Sequence, residues 1–455
     1  MNRRNRIAAA AAICLIGTLP AAHAAGDAET VLHTFTGHAD GAVAFSGVTV
    51  DKHGNMFGTT NKGGSSTACG DDGCGTVFEM IRNGGGWTFQ SIYAFQLSDG
   101  AEPWSAPIAD AHGNLFGTAQ GGGTGCGVVY ELSPASGGQW SEKVLHEFDP
   151  QTRESDGCMP YSSLTFGPDG NLYGTTLAGG GGGSAFGSTC LYGCGTVFEL
   201  SKRHDGTWKE KVLHAFPLAD ATTNGATLLY GVTFDSKGNL WGTTRFGGSS
   251  TENCGGGAAG GCGILFRLSP AGDGTWNETS VYDFLDSTTG TVPASGLVVD
   301  GADNLYGTVS TSPGYGAVFQ MTPQEDGSVV ESFLHVFPFC ERQCRDGLFP
   351  GGGLVFDAQG SLYGTTVTGG GKGTLCHPVG CGTLFKLTPD GEGGWSETIL
   401  HRFTGGSDGY EPDPERLAVD SKGDILGTSA YGGDFQTGDC PQPQYGCGVV
   451  FKIKP

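Results

Sequence analysis

The sequence predicts an all-β fold, a seven-bladed β-propeller of four-stranded antiparallel blades, and three observations lead there. A short phrase recurs as GNMFGTT from Gly54, GNLFGTA from Gly113, GNLYGTT from Gly170, GNLWGTT from Gly238, DNLYGTV from Asp303, GSLYGTT from Gly360 and GDILGTS from Gly423, seven copies in all. Successive copies lie 57 to 68 residues apart, a spacing that suits propeller blades. Glycine supplies 84 of the 455 residues without a G-X-Y period, which opposes long helices and excludes collagen.

The elements of one unit follow in a fixed order. In the third unit SLTF leads into the turn GPDGN, then LYGTT, a glycine loop, CGTVFEL, a second turn near HDGTW, and KEKVLHAF. Short runs separated by turn chemistry predict an antiparallel sheet. The fourth run recurs as WTFQSIYAF from Trp87, WSEKVLHEF from Trp140, WKEKVLHAF from Trp208, WNETSVYDF from Trp276, VVESFLHVF from Val329 and WSETILHRF from Trp395. Its remaining copy, AETVLHTF from Ala28, precedes the first full unit, while the last unit stops after its third run, CGVVFKI. The ring is therefore predicted to close by the N-terminal strand, Glu29 to Phe35, completing the last blade alongside Gly448 to Lys454. Closure removes two unpaired edges that would otherwise invite aggregation.

Because strand direction alternates, the connection into each first strand and the loop between second and third strands emerge on one rim. That rim is predicted to be loop-rich, and loops on a rigid scaffold are where binding resides. The asparagine of the repeat, Asn55 in the first copy, follows glycine in a turn and is read as scaffold.

At the N-terminus Arg3, Arg4 and Arg6 precede an apolar run from Ile7 to Leu19 and the triplet Ala22-His23-Ala24. Residues 1–24 are expected to be a cleaved secretory signal, and 25–455 a single propeller domain. The run is too short for a good membrane span, and Cys14 lacks the small residue before it that a lipid anchor needs. The expected product is exported, periplasmic or secreted, soluble and monomeric. Removing the signal arginines takes the formal charge from -22 to -25, which disfavours nucleic acid as a partner.

The mature chain keeps 14 cysteines, an even number, in an oxidising compartment. Cys69 with Cys74, Cys190 with Cys194, Cys254 with Cys262, Cys376 with Cys381, and Cys440 with Cys447 sit in second-to-third loops, and Cys340 with Cys344 in the connection to the sixth blade. The two left over, Cys126 and Cys158, lie on the same rim of neighbouring blades and are expected to bridge. Zinc is the rival, yet no unit combines four good ligands.

The motif G-N-L-Y-G-T-T, a Gly-Gly loop and then G-C-G-T-V-F-E-L closely resembles the GloVer tandem repeat of the bacterial choice-of-anchor proteins, over essentially all of 28–455. The resemblance implies an exported or surface-attached bacterial protein and supplies no catalytic residues. The C-terminal anchor of that family has no counterpart here.

Candidate chemistry is sparse. The strand histidines His33, His146, His214, His335 and His401 alternate with Tyr93 and Tyr282 and are read as inter-blade packing groups needing one polar partner each. Asp40, Asp99, Asp156, Asp346 and Asp408 each precede glycine in the connections, with Asn224 and Thr289 in the other two; these are read as turn caps, with calcium on the rim as the alternative. No other cofactor is expected. GGSDG, Gly405 to Gly409, matches a nucleophile pattern by chance in a chain this rich in glycine.

A ring becomes a specific site by breaking its symmetry. Aligned connections put Phe45, Trp104 and Tyr161 at one position in the first three blades, where later blades carry Leu229, Ala294, Gly351 and Asp413. This predicts an aromatic sector at the mouth, opposite an acidic one with Glu411, Asp413 and Glu415. The expected function is non-catalytic binding of a glycan or extracellular protein through Phe45, Trp104 and Tyr161. The alternatives are a polysaccharide lyase or glycoside hydrolase, with His377, Arg342 and Arg345 as candidates, and a structural envelope protein without a discrete ligand.

Overall fold

The computed structural model describes residues 29–455 except 182–189, 191–192, 218–224, 251–253, 255–259, 287, 341–343, 372–375, 377–378, 413–414, 434–439 and 443. The expected signal, Asn224, Arg342, His377 and Asp413 lie outside the described residues.

The strands form seven antiparallel sheets. In the third blade Thr165–Phe166, Leu172–Thr176, Thr196–Lys202 and Trp208–Ala215 pair in sequence order. The fifth and sixth blades add a short fifth strand, Thr291–Pro293 and Leu348–Pro350, paired to Leu305–Ser312 and Leu362–Thr368. The seventh blade closes the ring as the sequence predicts. Glu29–Thr34 runs antiparallel to Val449–Ile453, with Val31 opposite Phe451.

The repeated phrase has a steric reason. A Cβ on Gly58, Gly174, Gly242, Gly307, Gly364 or Gly427 would lie within 2.5 to 2.7 Å of a phenylalanine ring on the next strand. In the second blade Tyr130 takes that phenylalanine's place over Gly117. LYGTT and VFEL therefore recur together because each glycine makes the floor for one ring. The turn before them is fixed by an aspartate: Asp51 accepts the backbone N–H groups of His53 and Asn55, both at 2.8 Å.

Burial is concentrated between blades. Seven apolar clusters, one for each pair of neighbours, include the seam of the last blade with the first, where Phe35 and Val450 meet Phe78 and Met80. At every seam the phenylalanine ending a fourth strand meets the ring on the next blade's third strand. Phe35 with Phe78 at 5.4 Å and Phe216 with Phe266 at 5.1 Å are two of these edge-on pairs. The N-terminal strand thus supplies both hydrogen bonds and a packing ring.

The loop-rich rim is latched in a way the sequence does not announce. Val43, Glu102, Met159, Thr227, Val292, Phe349 and Glu411 have φ between 50° and 68°, the left-handed region that non-glycine residues avoid. Six of them donate their N–H to a loop carbonyl of the preceding blade, as Val43 does to Cys447 (2.9 Å) and Met159 to Cys126 (2.8 Å). A sevenfold strain of this kind belongs to the scaffold.

Candidate functional site

The cysteines on this rim pair as seven disulfides. Six close loops of 4 to 8 residues. Cys126–Cys158, with 32 residues between its ends, ties the second blade's loop to the connection of the third. Each disulfide fixes the separation of the two loop positions it joins.

The histidines and the connection aspartates, read separately in the sequence, prove to be partners. His33 bonds Asp40 (3.1 Å), His146 bonds Asp156 (3.0 Å), His335 bonds Asp346 (3.2 Å) and His401 bonds Asp408 (3.3 Å). Tyr93 donates to Asp99 in the same way. The aspartate also caps its turn, since Asp40 accepts the N–H and hydroxyl of Thr36. At most seams a glutamate of the next blade faces this pair, and desolvation pushes Glu142 up to about 7 and Glu210 to about 8. Phe89 replaces that glutamate in the first blade and stacks on His33 at 3.6 Å. His214 has no described partner at Nε2, and burial pulls it down to about 4.

Three of these seams gather metal-ligand atoms within 4.8 Å: Glu29, His401 and Asp408; His146, Asp156 and Glu210; His335, Asp346 and Glu397. Tyr93 and Tyr282 hold the histidine position elsewhere, so the seam is built without a ligating nitrogen in those blades. The third cluster opens on a cavity of about 440 Å³ that also exposes Arg345 and Arg402.

At the mouth the three predicted aromatic residues come together. Phe45 stacks on Trp104 with centroids 4.8 Å apart, and Trp104 on Tyr161 at 4.9 Å. They line a cavity of about 180 Å³ with Leu229, Tyr230, Arg245, Gly351 and Glu415. Each ring of the stack covers a face of its neighbour, so the indole edge and the outer faces are what the cavity meets. Among the described residues the buried Trp104 Nε1 has no hydrogen-bond partner. On the far side of Phe45, Tyr431 stands edge-on at 6.0 Å and leads to Tyr410 and Tyr445.

The acidic sector does not face the aromatic one from a distance, because Glu415 closes the same cavity. Counting back from the paired first strands puts Glu415 where Ser46, Ser105, Ser162 and Ser295 stand in other blades. Those serines bond within their own blade, as Ser46 Oγ accepts the Thr59 N–H (2.9 Å). Glu415 instead crosses the channel, accepting the N–H of Ser163 (2.6 Å) and its hydroxyl (2.8 Å). Burial pushes its carboxyl up to about 7, against the pull of those two bonds. A column of four serines, Tyr230 and Gly352 with a single carboxylate, Glu415, was the sequence signal for this residue.

A ring of repeated sheets with a loop-rich, disulfide-held mouth defines the class: a seven-bladed repeat propeller. The chain belongs to the Gloeobacter/Verrucomicrobia repeat family, whose model matches residues 15–188, 68–311 and 182–441. No curated protein matches it. Among solved structures it is similar to a fungal alcohol oxidase of the AA5 family in complex with copper, with TM-score 0.54 and 13% identity over 91% of this chain and 75% of that one. A Lactobacillus plantarum protein superposes with TM-score 0.45 and 12% identity over 79% of this chain and 84% of that one. At such identity the oxidase shows the fold alone. Among the described residues no helix is long and apolar enough to cross a membrane.

Proposed function

We propose that this is an exported, non-catalytic propeller that binds a glycan or an extracellular protein in the aromatic mouth. The observation that carries the reading is the one-sided stack of Phe45, Trp104 and Tyr161 over a cavity that also offers Arg245, Tyr230 and Glu415. Aromatic surface beside a few converging polar groups is how concave sites hold sugars and apolar side chains. Seven disulfides fit an oxidising compartment, as does an N-terminal secretory signal over 1–24.

The rival, a lyase or hydrolase, has one observation in its favour. Glu397 and Asp346 face each other beside Arg345 and Arg402 in an open cavity, desolvation holding the Glu397 carboxyl up while Asp346, against desolvation, is held down by its hydrogen bond with His335. Glu210 faces Asp156 in the same way at another seam, which is how a structural inter-blade pair behaves. A glycan-array screen of the purified protein, run beside assays for reducing ends and unsaturated uronates, separates the two. Binding without turnover supports the mouth; turnover lost in Glu397→Gln overturns it.

A further inference from the structure

One residue past Glu415 the ring breaks its symmetry a second time. The strand pairings set Gly47, Ala106, Ser163, Gly231, Gly296 and Gly353 at one channel position in six blades, and Arg416 at that position in the seventh. The small residues leave the centre open. A chamber of about 100 Å³ remains there, walled by first-strand residues and by Glu415 and Arg416. Arg416 is half-buried and lines this chamber.

Among the described residues the Arg416 guanidinium has no hydrogen bond and no ion pair. Its neighbour Glu415 favours its charged form, while each Glu415 oxygen also accepts one hydrogen bond from Ser163. A half-buried guanidinium that lines a chamber without a described protein acceptor keeps its N–H donors for a small acceptor there.

We propose that the central chamber is an anion site in which Arg416 holds one small monocarboxylate of the size of formate or acetate. The planar fork of a guanidinium matches the two oxygens of a carboxylate. A monoanion adds one negative charge beside Arg416 and Glu415, whereas a dianion would add twice that in a low-dielectric channel. Size agrees, since an engineered cavity of about 150 Å³ takes a benzene, so a chamber of about 100 Å³ takes acetate and excludes a sugar ring. The site is separate from the mouth, with Glu415 as the wall between them.

The test is a calorimetric titration of the full mature chain with sodium acetate, and separately with sodium chloride, at constant ionic strength. Saturable acetate binding is expected, weakened at least about tenfold in Arg416→Met, where the charge-assisted bidentate pair is lost. Gly296→Leu provides a second variant, because a Cβ there meets no protein atom within 4 Å and the side chain extends into open space. It is expected to lose acetate while melting as the wild type does, and Trp104→Ala to keep it. Absence of saturable binding, chloride binding as tight as acetate, or acetate binding retained in Gly296→Leu would each overturn the proposal, and the Gly296 variant decides it even where Arg416→Met fails to fold.

Discussion

Glu415 and Ser163 stand 252 residues apart in sequence and meet across the channel, with oxygen to nitrogen and oxygen to oxygen distances of 2.6 and 2.8 Å. The pair ties the last blade to the third, independently of the strand pairing that closes the ring. Glu415→Ala should leave the Ser163 N–H without its acceptor and cost about 1–3 kcal/mol. Urea unfolding followed by circular dichroism measures it, and Glu415→Gln, which keeps an acceptor, is expected to cost less.

The long disulfide should matter more than the short ones. In the chain-entropy model a 32-residue loop is worth on the order of 4 kcal/mol, against about 2 kcal/mol for a loop of 5. The double variant Cys126→Ala/Cys158→Ala should therefore melt below Cys69→Ala/Cys74→Ala in a calorimetric comparison.

The seam glutamates set a pH dependence. Glu142, Glu210 and Glu331 have carboxyls raised to about 7, 8 and 7 by desolvation first of all. A carboxyl raised in the folded state favours the protonated form there, so folding stability is lost as pH rises from the ordinary carboxylate range through 7 to 8. The melting temperature should fall between pH 5 and pH 8, and Glu210→Gln should flatten that fall. A melting temperature that instead rises steadily to pH 8 contradicts the assignment.

The steric reading of the repeat is tested at Gly174. A Cβ there would come within 2.6 Å of the Phe198 ring, so Gly174→Ala should destabilise by about 1–3 kcal/mol, the usual cost of overpacking. Gly170, where a Cβ meets nothing within 4 Å but φ is 80°, should cost less, about 1 kcal/mol of left-handed backbone strain.

The blades and their closure were legible because strand order and turn chemistry repeat in sequence. Seven fourth-strand copies, one of them displaced to Ala28, suffice to place Glu29–Thr34 against Val449–Ile453. The aromatic sector was legible because Phe45, Trp104 and Tyr161 depart from a column that otherwise holds Leu229, Ala294, Gly351 and Asp413. The seams were only half legible. His146 and Asp156 are separated by a turn whose path sequence alone does not give, and Glu210 arrives from the next blade. Arg416 was missed because its significance is the space around it, which depends on six small residues in six other blades.

The asymmetric aromatic mouth is proposed as the place where this propeller meets its ligand. The most direct measurement is the dissociation constant of a glycan drawn from the array, taken on the wild type and on folded Trp104→Ala side by side, with the same samples analysed for sugar products. Binding is expected in the wild type, at least about tenfold weaker in the variant through loss of a central aromatic contact, and no product is expected from either. Equal affinity in both proteins, or release of sugar by the wild type, would contradict it.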